Sequence, residues 1–492
     1  MTGPLVPDLL DDAARRWPGA AAISDGSRRL SYAELENLSR IAAGRLHRSG
    51  VRPGDRVVLR LPGDVNFAAL LFGALRLGAA VVPMNPALNP YLLEWIVEDA
   101  APALLVTGTD DVPVMRGRSR PPVLCLPPGE QLSGAAVADA DLPRPASSGV
   151  ALLMYTSGST AMPRAVVSRH DQIRFVVAAI AARLRYTAED VVFNRSPVSF
   201  DYGLYQLFLC ARAGARLETR PGLAEVRLLS EIRATGTTVL PIVPTVAEIL
   251  LRLSARDTRP TSVRMITNTG AALTGGLAAG LRKTFPRAAV VPMYGMTECK
   301  RITVAEPDED LDHPGTVGRP LDGTEVTVVD DEGQPVPAGT VGEIWVRGPH
   351  VMAGYWDRAA LAARPFAGAS PADPVLRTGD YGHVDRDGRL YFAGRRDDIF
   401  KRKGVRTSVQ EIEAAALDVP GVRAAAVRRP NDDGEFVVWV AGQVEPEQVL
   451  AGVLARLERA KMPDRCVVLP ELPTTPNGKV DKAGLAGRQS VR

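Results

Sequence analysis

The sequence predicts an α/β protein with a large N-terminal domain of β-α-β subdomains, a small β-barrel-like subdomain within it, and a small α+β C-terminal domain. Three observations lead there. At 492 residues the chain exceeds what one hydrophobic core usually supports, so two or more domains are expected. Short apolar runs alternate with helical patterns through most of the chain. The pattern then turns to antiparallel strand signals near Gly323, and near Gly394 to a shorter mixture of strands and helices.

The alternation opens at Ser31, where Ser31 and Glu34 have capping-box spacing and apolar residues recur through Leu46. Residues 50–55 read as a turn, 56–61 as a buried strand, 66–77 as a helix and 80–83 as the next strand. This β-α-β order implies a parallel sheet covered by helices, with ligands bound beyond the carboxyl ends of the strands. The Pro-, Gly- and Ala-rich stretch 110–148 reads as an irregular surface connection, and alternation resumes at Val150. Residues 325–330 and 342–346 look like antiparallel strands. Beyond Gly394, 408–417 reads as a capped helix, 424–427 and 436–441 as strands, and 446–459 as a helix. The expected domains are therefore 1–394 and 395–492, with no internal repeat.

Composition narrows the class. An apolar fraction of 46% and a charged fraction of 23% are those of an ordinary globular protein. A net charge of +3 without long single-sign blocks gives no case for nucleic acid or a membrane surface as partner. Cys125, Cys210, Cys299 and Cys466 lie far apart without a CxxC pair, which argues against disulfides or zinc and for a cytoplasmic thiol protein. The N-terminus lacks a basic stretch leading into an apolar one, and no apolar run reaches membrane-spanning length, so neither secretion nor a membrane span is expected.

The chemistry starts after the apolar strand 150–154, at Thr156, Ser157, Gly158, Ser159 and Thr160, a string that ends on the cation Arg164. Hydroxyl donors, glycine backbone and a positive charge are what a phosphate-bearing ligand needs, and GxxxxGK[ST] is absent. A shorter match would read as a polar surface turn. The whole string Tyr155 to Arg164 resembles the phosphate loop of the adenylate-forming superfamily, which includes acyl-CoA synthetases, adenylation domains of peptide synthetases and luciferases.

The resemblance extends over nearly the whole chain. Tyr294-Gly295-Met296-Thr297-Glu298 is similar to the family's YGxTE segment; this implies an aromatic ring packed on adenine, a Thr hydroxyl at the α-phosphate and a magnesium-coordinating Glu298. Gly270-Ala271-Ala272 resembles the strand end that lines the adenine site. Asp380, in Thr378-Gly379-Asp380, resembles the carboxylate that accepts the ribose hydroxyls. By the same resemblance Arg395 also reaches the ribose, Asp397 is a hinge, and Lys479, in Pro476-Asn477-Gly478-Lys479, is the catalytic lysine bridging the substrate carboxylate and α-phosphate. The resemblance implies ATP and Mg2+ as cofactors, and a small C-terminal domain that rotates to admit a pantetheine thiol after adenylate formation.

Two positions depart from the family loop: Ala161 replaces its usual glycine and Arg164 its usual lysine. Arg164 keeps the charge without being a neutral exchange, and Ala161 costs ~1 kcal/mol if positive φ is required. They leave open a non-catalytic homologue that binds nucleotide or carrier without turnover.

For the substrate, Ser199-Phe200-Asp201-Tyr202-Gly203 occupies the place of the FDxS segment of amino-acid-activating domains, where the Asp pairs with the substrate ammonium. Asp201 alone would read as a helix cap. Phe200, Tyr202 and Tyr205 would give the pocket apolar walls, and Gly295 and the cations Lys300 and Arg301 lie beside it. The combination resembles free-standing adenylation enzymes that load β-amino acids onto discrete acyl or peptidyl carrier proteins in macrolactam polyketide pathways. Free-standing prolyl or acyl carrier-protein ligases look similar, and an acyl-CoA synthetase acting on a simple carboxylic acid, with CoA as acceptor, is the alternative. No carrier domain follows in this sequence, so the thiol is expected on a separate molecule; Lys401, Arg402 and Lys403 would meet an acidic carrier helix or CoA phosphates, or form a solvated turn.

Overall fold

The computed structural model describes residues 3–88, 90–109, 121–127, 129–138, 145–156, 162–356, 375–395, 399–402, 405–428, 435–457, 459–474, 480–482 and 484–485. The capping box at Ser31 and Glu34 forms as the spacing predicts and starts the helix Tyr32–Arg48. The strand Arg56–Arg60, the helix Val65–Arg76 and the strand Ala80–Pro83 follow in order, with the two strands paired in parallel.

That pair lies within a seven-stranded sheet ordered Gly354–Tyr355, Arg164–Arg169, Val150–Thr156, Ala80–Pro83, Arg56–Arg60, Leu104–Thr107, Val123–Cys125. Only its first two pairings are antiparallel. The last lies inside the stretch read as irregular; a three-residue strand, in the four residues between two proline pairs, is too short to show a period. A nine-stranded sheet is ordered Arg319–Pro320, Thr303–Val304, Ala289–Tyr294, Met265–Asn268, Val239–Ile242, Val191–Asn194, Arg216–Thr219, Ala21–Ser24, Arg29–Ser31. Its central strands are parallel.

One cluster of buried side chains joins both sheets. Every residue of the helix Val65–Arg76 is buried, as a helix apolar on all sides must be. It meets the helix Asp201–Ala213 edge to face, with the Phe72 and Phe208 rings 6.1 Å apart. Truncating either ring to alanine would cost ~3–5 kcal/mol. This packing fixes the start of Asp201–Ala213, and with it Asp201, against the core.

The change of pattern near Gly323 corresponds to a four-stranded antiparallel sheet, Glu325–Val329, Gly342–Arg347, Val375–Val384, Leu390–Arg395. Toward the C-terminus, Ser408 and Glu411 form the capping box of the helix Val409–Leu417. A three-stranded sheet follows, Val422–Val427, Val437–Gly442, Arg465–Leu469. Its central strand alternates: Val438 and Val440 enter one apolar cluster, Val437, Trp439 and Ala441 another. The strand Arg465–Leu469 was not expected, because RCVVL between prolines reads equally as a connection. The helix Pro446–Leu454 is shorter than expected, the short turn Arg459–Lys461 taking over its far end.

None of the four cysteines is joined in a disulfide. Among the described residues no helix is long and apolar enough to cross a membrane, and no group of three or more His, Cys, Asp or Glu is placed to hold a metal.

Candidate active site

Thr156 ends one strand and pairs in register with Arg164, which begins the next. Arg164 therefore stands level with Thr156 on a neighbouring antiparallel strand. Ser157, Gly158, Ser159, Thr160 and Ala161 lie outside the described residues, as do Asp397, Lys403 and Lys479; of Lys401 and Arg402 only the backbone is described. The Arg164 guanidinium lies 5.6 Å over the Tyr355 ring and makes no hydrogen bond or ion pair among the described residues.

The YGMTE segment leaves the strand Ala289–Tyr294 and doubles back tightly. A Cβ at Gly295 would stand 2.1 Å from the Lys300 carbonyl oxygen, so only glycine closes this turn. Lys300 itself takes φ 66°, a conformation that costs a non-glycine residue ~1 kcal/mol and that the turn imposes. The consequence is that the basic pair points inward: Lys300 is 4% and Arg301 5% exposed. Lys300 Nζ donates to the Thr297 carbonyl at 2.8 Å and lies 5.9 Å over the Tyr205 ring. Arg301 stacks 5.1 Å over Tyr202 and donates to the Lys300 carbonyl at 3.0 Å. Burial pulls the Lys300 ammonium below the usual lysine range, against the opposing pull of Asp201 and Glu298.

Asp201 is the first residue of its helix, not the cap; Phe200 holds that position and makes no capping hydrogen bond. A Cβ at Gly203 would lie 2.4 Å from the Ser196 and Pro197 carbonyl oxygens, so glycine lets the first turn press onto that loop. The Asp201 carboxylate is left 3% exposed, with no hydrogen bond or ion pair among the described residues. The hydroxyl of Tyr205 and Nδ2 of Asn268 are buried without a hydrogen-bond partner among the described residues. Tyr202 instead bonds the Thr267 carbonyl at 2.8 Å. Phe200 is exposed beside exposed Gly270, whose φ of +85° turns the chain at the end of the strand Met265–Asn268; Ala271 and Ala272 continue that exposed end. His350, which sequence reading passed over, is buried against Phe175 at 5.7 Å, and burial with Lys300 nearby lowers its pKa to about 4.

At the other end, the Tyr294 hydroxyl donates to Asp380 Oδ2 at 2.6 Å, and its ring packs 5.3 Å from Phe392. Asp380 and Arg395 sit opposite each other on paired strands, with Arg395 Nε 3.3 Å from Oδ1 but outside hydrogen-bonding geometry. Oδ1 is thus a buried acceptor without a donor, and burial raises the Asp380 pKa. A ribose hydroxyl is a donor of the kind such an oxygen lacks.

Glu298 accepts from the Tyr355 hydroxyl through Oε1 at 2.9 Å, and its Oε2 takes no hydrogen bond among the described residues. One protein carboxylate suits Mg2+, which keeps waters and takes phosphate oxygens for the rest of its shell. The residues present fit that ion. Tyr355 was not foreseen, although Val351 to Trp356, following the strand Gly342–Arg347, was a readable aromatic signal.

On this α/β frame Arg164 begins a strand, Glu298 sits in the turn after the strand Ala289–Tyr294, and Asp380 lies opposite Arg395 on paired strands, in the chain order that the sequence resemblance to adenylate-forming enzymes implies. Residues 10–356 match the family described as AMP-binding enzyme, and the chain belongs to it. The chain is 32% identical to the salicyl-AMP ligase / salicyl-S-ArCP synthetase of Mycobacterium tuberculosis, over 100% of this chain and 92% of that protein. Several other curated relatives are longer, and the chain spans between 6% and 44% of them. Among solved structures, VinN is 39% identical with a TM-score of 0.72, covering 80% of this chain and 100% of that one, and a second VinN structure holds L-aspartate. O-succinylbenzoate coenzyme A synthetase (MenE) of Bacillus subtilis, in complex with AMP, covers 99% of both chains at 25% identity and TM-score 0.86. The chain is accordingly an AMP-forming ligase that activates a carboxylic acid with ATP.

Proposed function

We propose that the acid is an amino acid, a β-amino acid with a second carboxylate being favoured, and that the acyl group passes to the phosphopantetheine thiol of a discrete carrier protein. The observation that carries this is a cluster of buried charges: Asp201, which takes no hydrogen bond among the described residues, acts electrostatically on the buried Lys300 ammonium, and Arg301 is buried next to Lys300 in the chain. Buried charges are expensive, so a ligand that adds a counterion to each of them is favoured over an apolar one. An ammonium for Asp201 and a carboxylate for Lys300 or Arg301 would do so, whereas a simple fatty acid would add neither contact. The structure of VinN with L-aspartate, an amino dicarboxylate, supports the same reading.

In the first step a substrate carboxylate oxygen attacks the α-phosphorus and the bond to pyrophosphate breaks. Two anions must meet, so Lys479 and Thr297 would stabilise charge at the reacting oxygens, and the loop from Thr156 to Arg164 would hold the departing pyrophosphate. Asp380 and Arg395 would orient the ribose. Bound Mg2+ supplies further positive charge near Glu298. No general base is required. Residues 395–492 would then turn about Asp397 to admit the thiol, which attacks the acyl carbon and releases AMP. On this reading, and by the sequence resemblance alone, the chain would serve polyketide macrolactam assembly.

The test is ATP–pyrophosphate exchange across α-amino, β-amino, amino dicarboxylic and simple carboxylic acids, then thioester formation with carrier protein or CoA. Amino dicarboxylic acids should lead by more than tenfold, and carrier should be preferred to CoA. Equal exchange with simple acids would remove the amino acid reading and favour an acyl-CoA synthetase. Lys479→Ala should abolish exchange and leave the ATP-induced thermal shift nearly intact.

A further inference from the structure

We infer that Tyr355 is a positioning residue that joins the phosphate-loop cation Arg164 to the carboxylate of Glu298, so that the pyrophosphate grip and the metal site are set by one side chain. The inference rests on the roles proposed above for the loop and Glu298 and adds a residue that neither contains. Tyr355 has two faces to offer, and both are taken. Its ring lies 5.6 Å beneath the Arg164 guanidinium, and its hydroxyl donates to Glu298 Oε1 at 2.9 Å.

The backbone builds the same link twice more. Tyr355 pairs with Val166 and Gly354 with Val167, two and three residues past Arg164. On the other side, the Met352 N–H donates to the Glu298 carbonyl at 2.8 Å. Trp356 closes the segment, donating its backbone N–H to the Ala165 carbonyl at 3.0 Å and its indole N–H to the Asp99 carbonyl at 3.1 Å. The tyrosine therefore cannot shift without moving both the loop strand and the Glu298 turn.

This arrangement accounts for arginine at position 164. A planar guanidinium stacks on an aromatic face and keeps its in-plane N–H donors for phosphate, while a lysine ammonium uses the same face less well and offers no fork. Holding Glu298 by Oε1 leaves Oε2 for a cation. A carboxylate freed from Tyr355 would have to be ordered when the metal arrives.

The experiment uses the full chain and reads ATP binding by calorimetry in EDTA and in Mg2+, with pyrophosphate exchange followed as Mg2+ is varied. Tyr355→Phe keeps the ring and loses the hydroxyl: ATP affinity in EDTA should stay within twofold of wild type, while the Mg2+ concentration for half-maximal exchange should rise about tenfold. Tyr355→Leu loses both contacts and should also weaken ATP binding in EDTA about fivefold. Arg164→Lys should cost about fivefold with Tyr355 present and under twofold beside Tyr355→Leu. The inference is overturned if Tyr355→Phe leaves the Mg2+ requirement unchanged, or weakens ATP binding equally in EDTA and Mg2+, or if the two positions act additively. If wild-type ATP binding gains nothing from Mg2+, the reading of Glu298 itself fails, and the inference with it.

Discussion

The two ends of the candidate site are built on opposite principles. At the nucleotide end the polar groups hold one another: Tyr294 donates to Asp380, and Arg395 faces it across paired strands. At the proposed acyl end the charges act on one another through space: Asp201 and Glu298 pull on the buried Lys300 ammonium, which donates to a backbone carbonyl and lies over a ring, while Asp201 takes no hydrogen bond among the described residues. A hydrogen-bonded frame holds its geometry before a ligand arrives, while charges coupled mainly through space respond to a ligand of matching charge. On the roles proposed above, the difference would place nucleotide binding on a fixed frame and substrate choice on electrostatic matching.

The largest expected effect therefore belongs to the acyl end. Asp201→Asn keeps the shape and removes the charge, and breaking a desolvated pair from one side costs ~3–5 kcal/mol, so an amino acid substrate should lose at least about a hundredfold in kcat/KM. Its deamino analogue should lose little. An unchanged substrate ranking would mean that Asp201 serves the fold alone.

Next in size is a pH effect on stability that also originates beside the acyl end. His350, with a folded pKa of about 4, and His170, also about 4 and accepting the Val6 N–H on Nδ1, are both held neutral by burial. Between that value and the ordinary 6.5, the unfolded chain binds protons that the folded one does not, so stability is intact above pH 6.5 and is lost as pH falls toward 4. Each ring contributes up to ~3 kcal/mol to that loss, at about 1.4 kcal/mol per pH unit. Thermal melts of His350→Asn should show a fall on acidification that is shallower than wild type by about one proton. Identical slopes would mean that His350 titrates freely in the folded protein.

The smallest effect is expected at the nucleotide end. Asp380→Asn retains an acceptor for Tyr294 and loses the charge-assisted bond to a ribose hydroxyl, worth ~1.5–3 kcal/mol. The ATP KM should rise about ten- to a hundredfold with little change in kcat or in the ranking of acids. A shift in that ranking would erase the contrast between the two ends.

The sequence alone carried whatever depends on local spacing. The capping boxes at Ser31 and Ser408, the parallel β-α-β order around 56–83, the antiparallel region after Gly323, and the motif strings from Thr156 to Asp380 are all short-range patterns, and a pattern of adjacent residues survives in one dimension. The three-residue strand Val123–Cys125 was too short for any period, and Arg465–Leu469 gains its identity only from lying parallel to Val437–Gly442. The site shows the same division. Sequence marked Lys300 and Arg301 as basic, a type that usually faces water, and only the turn closed over Gly295 drove them inside. It offered Asp201 as either cap or ligand partner, and the placement of Phe200 at the cap removed the first alternative. Tyr355 contacts residues 57 and 191 positions away in the chain, and no local window joins them. Burial, long-range pairing and the presence or absence of a partner for a charge belong to the folded arrangement, because each is fixed by which distant segments meet.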